Sequence, residues 1–128
     1  MRRIIINMKD YVFADAVAQS LQADRHSDFV VQRVTTPEEV LKYSAICDPY
    51  AVLMEVNGYP PYALEERLKI RDTVKKENPS CKVVLVVDEN SEKKVAEEVR
   101  QAKKDGRIDQ FIYGSISANY LVALMDTL

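Results

Sequence analysis

The chain has 128 residues, 18 basic and 20 acidic, for a formal net charge of −2, with apolar types at 47% and charged types at 30%. This is the balance of one soluble globular domain, spanning residues 1–128 and large enough to bury a core without a metal or a disulfide. It excludes a nucleic-acid-binding domain, which carries a basic excess, and apolar runs of at most about six residues exclude a transmembrane helix.

The chain opens Met1-Arg2-Arg3 and continues with Ile4–Ile6, which reads as a buried strand and is too short in its apolar part for a signal peptide. From Tyr11 to Ala23 apolar residues recur at Phe13, Val17 and Leu21, with Ala14 and Ala18 beside them, at helical spacing. Phe29–Val34 follows as a second strand. Thr36-Pro37-Glu38-Glu39 opens the next helix: Thr36 caps, Pro37 suits the first helical position and Glu39 completes a capping box. This helix is expected to end near Ala45, before the break at Asp48-Pro49.

Ala51–Val56 is the third strand, with Glu55 near its end, and Gly58 with Pro60-Pro61 marks a loop. A helix over Tyr62–Asn78 directs Leu64, Leu68, Ile70 and Val74 inward, and Pro79 cannot continue it. Val83–Val87 is uninterrupted and valine-rich, as suits a strand covered on both faces. A helix from Ser91 to Asp105 buries Val95, Val99 and Ala102 and stops at Gly106. Gln110–Tyr113 is the fifth strand, and Ser117 caps a last helix that buries Leu121, Leu124, Met125 and Leu128. Strands alternating with helices imply an α/β, flavodoxin-like, doubly wound parallel sheet of five strands in the order 2-1-3-4-5. Its ligand crevice lies at the carboxyl ends of strands one and three.

Asp48–Glu55 resembles the segment leading into the phospho-accepting aspartate of the receiver domain of bacterial response regulators, and Gly106–Ile112 resembles that family's run into strand five. The likeness covers essentially the whole chain. The resemblance implies an acidic pair after strand one and an acceptor aspartate after strand three, which together hold Mg²⁺. It further implies a hydroxyl residue after strand four and a lysine after strand five. In this sequence the acidic pair falls on Met8 and Lys9, with Asp10 one place late, and the acceptor falls on Glu55. The hydroxyl position falls on Val87 or Asp88, and the lysine falls on Gly114. Asn57, two residues after the acceptor position, and Phe111 keep the pattern.

A thioether and an ammonium cannot replace two carboxylates around Mg²⁺, and no cation remains to stabilise a transferring phosphoryl group. The resemblance therefore implies an atypical receiver with no catalytic residue, metal or cofactor, acting in the cytoplasm through protein partners. Those partners are its own output domain or another signalling protein. Leu128 falls where a receiver's last helix ends, so the chain stands alone or forms the N-terminal part of a longer regulator. Two other readings stay open: a phosphoacceptor using Glu55 or Asp10, and a small-ligand sensor at the crevice.

Within the pocket, Lys9 and Glu55 are expected to pair across neighbouring strand ends and replace the metal-and-phosphate centre; the alternative is two exposed charges of little energetic weight. Phe111, Tyr113, Tyr120 and Leu121 are the candidate partner surface, in keeping with the family's use of helix four, strand five and helix five for dimers. Tyr59-Pro60-Pro61-Tyr62 reads as a loop or as a polyproline recognition site. His26 lies in a polar turn with no triad or metal partners in sequence, and Cys47 and Cys81 have no metal-ligand spacing and read as reduced, structural thiols.

Overall fold

The computed structural model describes residues 1–128 except Asp24 and His26, so the turn assigned to His26 lies outside the described residues. Five strands alternate with five helices: β1 Arg2–Asn7, α1 Tyr11–Ala23, β2 Phe29–Val34, α2 Pro37–Cys47, β3 Ala51–Val56, α3 Leu64–Glu77, β4 Lys82–Val87, α4 Lys93–Lys104, β5 Gln110–Tyr113 and α5 Ala118–Asp126. The strands form one parallel sheet in the order β2-β1-β3-β4-β5, as the alternation implies.

Period-two alternation sorts the strand residues between two cores. Ile4, Ile6, Leu53, Val84, Val86 and Ile112 face α1 and α5, where Val17, Leu21, Leu121 and Met125 meet them. Ile5, Val52, Met54, Leu85 and Val87 face α2, α3 and α4, against Val40, Leu68, Val74 and Val99. Both faces of the central strands are therefore covered, which is why β4 carries five consecutive apolar residues.

The capping box is present: the Thr36 hydroxyl accepts from the Glu39 backbone, and the Glu39 carboxylate accepts from Thr36 N–H. The same carboxylate also accepts from the Thr35 hydroxyl and backbone N–H, and these bonds hold it below its ordinary pKa. Helix α2 runs two residues beyond the expected end, to Cys47, and stops where Asp48 turns left-handed at φ 46°. Helices α3 and α4 each begin two residues late, at Leu64 and Lys93, because neither Ala63 nor Glu92 caps with its side chain. In α5, Leu121 and Met125 are buried while Leu124 is only half-buried, as is Leu128 beyond the helix end at Asp126. Tyr59–Tyr62 forms a turn closed by the Tyr62 N–H on the Tyr59 carbonyl at 2.9 Å, and so reads as a connector into α3.

Candidate functional site: the carboxyl edge of the sheet

The strand order reverses between β1 and β3, which opens a crevice at their carboxyl ends. β1 ends at Asn7, whose register partners are Val34 on one side and Met54 on the other. Beyond it Met8 turns into the core, with 6% of its surface exposed, among Ile6, Ala14 and Val17. Lys9 is exposed. Asp10 caps α1: its carboxylate accepts from the Phe13 N–H at 3.0 Å and its carbonyl from the Ala14 N–H at 2.9 Å. The Asp10 N–H donates in turn to the Glu55 carboxylate at 3.1 Å, so β3 holds the start of α1.

The expected Lys9–Glu55 pair is not formed. Lys9 enters no ion pair among the described residues, and the nearest donor recorded for the Glu55 carboxylate is a backbone N–H. The physical reason is direction. Met8 is committed to the core beside α1, and Lys9 lines a separate cavity together with Arg33 and Tyr62.

The remaining pocket residues also have local duties. Asn57 accepts from the Tyr59 N–H at 2.8 Å and shapes the loop into α3. Val87 is fully buried. Asp88 closes the turn after β4 by accepting from Asn90 N–H at 3.0 Å and Ser91 N–H at 3.4 Å. Its contacts with Ser91, then Asn90, hold its carboxyl below the usual range. The Gly114 N–H donates to the Val87 carbonyl at 3.0 Å, and Ser115 Oγ donates to the Glu89 carboxylate at 2.6 Å.

The crevice encloses about 330 Å³, lined by Asp10, Glu55 and Asp88 with Phe13, Val86, Asn90, Gly114 and Ser115. Its ionisable residues are all carboxylates. They do not converge: among the described residues no group of three or more His, Cys, Asp or Glu side chains is placed to hold a metal ion together. The donor set therefore does not fit the Mg²⁺ that the resemblance implies.

Two residues dominate the floor of the site: Asn7 at the end of β1 and Arg67 of α3, the second of which sequence reasoning passed over. Arg67 of α3 is fully buried. Its guanidinium donates to the Glu55 carbonyl at 2.8 Å, to Asn7 Oδ1 at 2.8 Å and to the Asn7 carbonyl at 3.3 Å. The Tyr62 ring covers it at 4.8 Å. Buried Asn7 passes the link on by donating to the Val34 carbonyl at 3.3 Å. One cation thus ties the ends of β1 and β3 directly and that of β2 through Asn7, without a carboxylate partner. Burial pulls its pKa down to about 10, so it remains protonated at neutral pH. The signal was present in the helical phase: Arg67 stands three residues before Ile70 and seven before Val74, on the inward stripe.

On the far side of the sheet, Phe111 and Tyr113 meet edge-on at 5.5 Å. Arg100 donates to the Tyr113 hydroxyl at 2.6 Å, and the Lys103 ammonium lies 5.8 Å from the Phe111 ring centre. Tyr120 is 60% exposed. Leu121 does not belong to this surface: it is 2% exposed and packs beneath α5 with Ile112 and Met125, because it lies on the helix's inward face. Both thiols sit at the opposite end of the sheet, where burial pushes Cys81 up to about 12 and raises Cys47 as well.

No family model and no curated protein matches the sequence. Solved structures do. A LuxR-family DNA-binding response regulator from Staphylococcus aureus is 18% identical with a TM-score of 0.76, over 99% of this chain and 98% of that one. The fold is that of response-regulator receiver domains. A CheY-like receiver domain protein from Methanospirillum hungatei is 18% identical with a TM-score of 0.71, over 99% and 92% of the two chains. A streptococcal redox sensor evolved from two-component response regulators is 16% identical with a TM-score of 0.78; this chain is covered over 99% of its length and spans half of that protein. No helix among the described residues of this receiver fold is long and apolar enough to cross a membrane.

Proposed function

We propose that this chain is an atypical receiver domain that signals in the cytoplasm by contact with protein partners and accepts no phosphoryl group. The observation that carries the reading is the employment of the crevice carboxylates. Asp10 caps α1, Asp88 closes the turn after β4, and Glu55 accepts from the Asp10 N–H. Phosphoryl transfer needs positive charge around the transferring group, whereas this crevice is lined by three carboxylates and ends on Gly114 and Ser115. The buried guanidinium of Arg67 already braces the strand ends that a metal and phosphate would otherwise organise. The test is incubation with acetyl phosphate and Mg²⁺ followed by intact-mass analysis. The unmodified mass is expected; a phosphate adduct lost in Glu55→Gln or Asp10→Asn would establish a phosphoacceptor instead.

The partner surface of this reading is the face made by α4, β5 and α5, where exposed Tyr120 adjoins Phe111 and Tyr113 within a cleft of about 410 Å³. Arg100 and Lys103 border it. A second copy of this chain or an output domain would cover these aromatics. Sedimentation at high protein concentration is expected to show weak self-association that Tyr120→Glu abolishes; a strict monomer would restrict the face to a different partner. A redox role like that of the streptococcal sensor is not part of the reading, because the thiolate is the reactive form and burial raises both thiols here.

A further inference from the structure

Beside the acidic crevice lies a second cavity of opposite character. It encloses about 420 Å³ between the first turn of α1, the end of β2 and the loop before α3. That is within the size range of small-molecule sites. Two tyrosines on its wall each lie on an arginine: Arg33 is 4.6 Å from the Tyr11 ring centre, and Arg67 is 4.8 Å from that of Tyr62. Met8 and Ile6 supply apolar wall.

The charges around it do not cancel. Arg33 is paired with Asp15 at 2.8 Å. The Glu39 carboxylate, below Thr35, is occupied by the Thr35 and Thr36 hydrogen bonds of the capping box. Lys9 has no ion partner among the described residues, so one lining cation is left without a counter-charge. Two cations, Lys9 and Arg33, therefore line a cavity walled by aromatic rings against one neighbouring paired carboxylate, Asp15, whereas the ionisable residues of the neighbouring crevice are all carboxylates.

We infer that this cavity binds a small organic anion with a planar body, its carboxylate or phosphate meeting Lys9 and Arg33 and its flat part lying against Tyr11, Tyr62 and Met8. An anion gains from an unneutralised cation, Lys9, and from the guanidinium donors beside it in a partly enclosed site, and a planar body gains from ring faces. The inference does not depend on the absence of phosphoryl transfer, since the two sites share no ionisable lining residue.

Heteronuclear NMR of the full chain tests it, with benzoate, adenosine monophosphate and inorganic phosphate as probes. Saturable shifts are expected at the amides of Lys9, Thr35 and Tyr62 for benzoate or the nucleotide, with inorganic phosphate weaker than the better organic probe. Benzoate preferred over the nucleotide identifies a carboxylate ligand, and the reverse identifies a phosphate. Lys9→Glu should weaken binding at least about tenfold, while Lys9→Arg retains it. Lys9 is exposed and makes no ion pair among the described residues, so the folded state survives either change. No saturable shift by about 10 mM of either organic probe would overturn the inference. So would unchanged affinity in Lys9→Glu, shifts centred on Gly114 and Ser115, or inorganic phosphate binding as well as both organic probes.

Discussion

The two ends of the sheet handle charge in opposite ways. At the amino edge, charges meet opposite charges. Arg2 lies between the rings of Phe29 and Tyr50, at 4.5 and 4.9 Å, and pairs with Asp28 at 2.7 Å and Asp126 at 2.5 Å, which raises its pKa. Lys75 meets Asp109 at 2.8 Å. At the carboxyl edge, the buried Arg67 donates to carbonyl and amide oxygens beneath the Tyr62 ring, and Glu55, Asp10 and Asp88 in the crevice accept from backbone N–H groups. An ion pair ties elements together with little residual field. A charge answered by dipoles leaves a field, and a field is what a partner or ligand can use. The amino edge is organised for stability, and the carboxyl edge, the Arg33–Asp15 pair apart, keeps charges of both signs in separate adjoining cavities.

The comparison is most sharply tested at Arg67. Arg67→Leu leaves the Asn7 amide oxygen and two strand-end carbonyls without their donor in a buried setting, which is expected to cost about 3–4 kcal/mol. Replacing both partners with apolar groups removes part of that penalty, so Arg67→Leu with Asn7→Val should cost less than the sum of the single changes, by about 1–2 kcal/mol. Urea denaturation measures both. A loss under about 1 kcal/mol for Arg67→Leu would mean that the guanidinium is not the brace of the carboxyl edge, and the contrast between the two ends would lose its main support.

A smaller effect is expected at the amino edge. Asp109 is half-buried between β4 and α3, accepting from the Val83 N–H at 2.8 Å and pairing with Lys75. Burial alone would raise its pKa; the Lys75 ammonium, helped by the Val83 N–H, outweighs that and lowers it. A carboxyl with a lowered folded-state pKa stabilises the protein above its unfolded value, near 4, and loses that contribution as pH falls through the folded value. Asp109→Asn should therefore cost about 1 kcal/mol at pH 7. The wild-type and variant stabilities should converge as pH drops below about 4. Parallel pH profiles would show that the carboxylate's charge contributes nothing and that only its hydrogen bond to Val83 matters.

These two edges also mark what the sequence discloses. The fold was legible because each element has a local cause: the valine run of β4 needs cover on both faces, the Thr36–Glu39 box starts α2, and Ser117 starts α5. The boundaries of α3 and α4 were less legible, since no side-chain cap marks where either helix begins. The crevice residues were located by the carboxyl-end rule, but their duties were not. Strand alternation fixes which way Ile4, Ile5 and Ile6 point and stops at Asn7, so the directions of Met8 and Lys9 depend on how the loop enters α1. Arg67 was obscured by its chemistry: among Glu65, Glu66 and Lys69, an arginine reads as part of a solvated face, even though its spacing with Ile70 and Val74 places it inward.

The smallest expected effect concerns the pair that the resemblance suggested. Lys9 and Glu55 stand at adjacent strand ends, yet Glu55 is engaged with the Asp10 N–H and Lys9 borders the other cavity. Lys9→Ala removes an exposed ammonium that makes no ion pair among the described residues, and should change stability by under about 0.5 kcal/mol. Glu55→Gln keeps an oxygen for the Asp10 N–H and should be similarly small. Residues with no shared partner contribute additively, so the coupling energy from the double-mutant cycle should fall within about 0.3–0.5 kcal/mol of zero. A coupling above about 1 kcal/mol would place the two charges in contact in solution. It would merge the acidic crevice with the basic cavity, and the separation of opposite charges at the carboxyl edge would no longer distinguish that edge from the paired charges at the other.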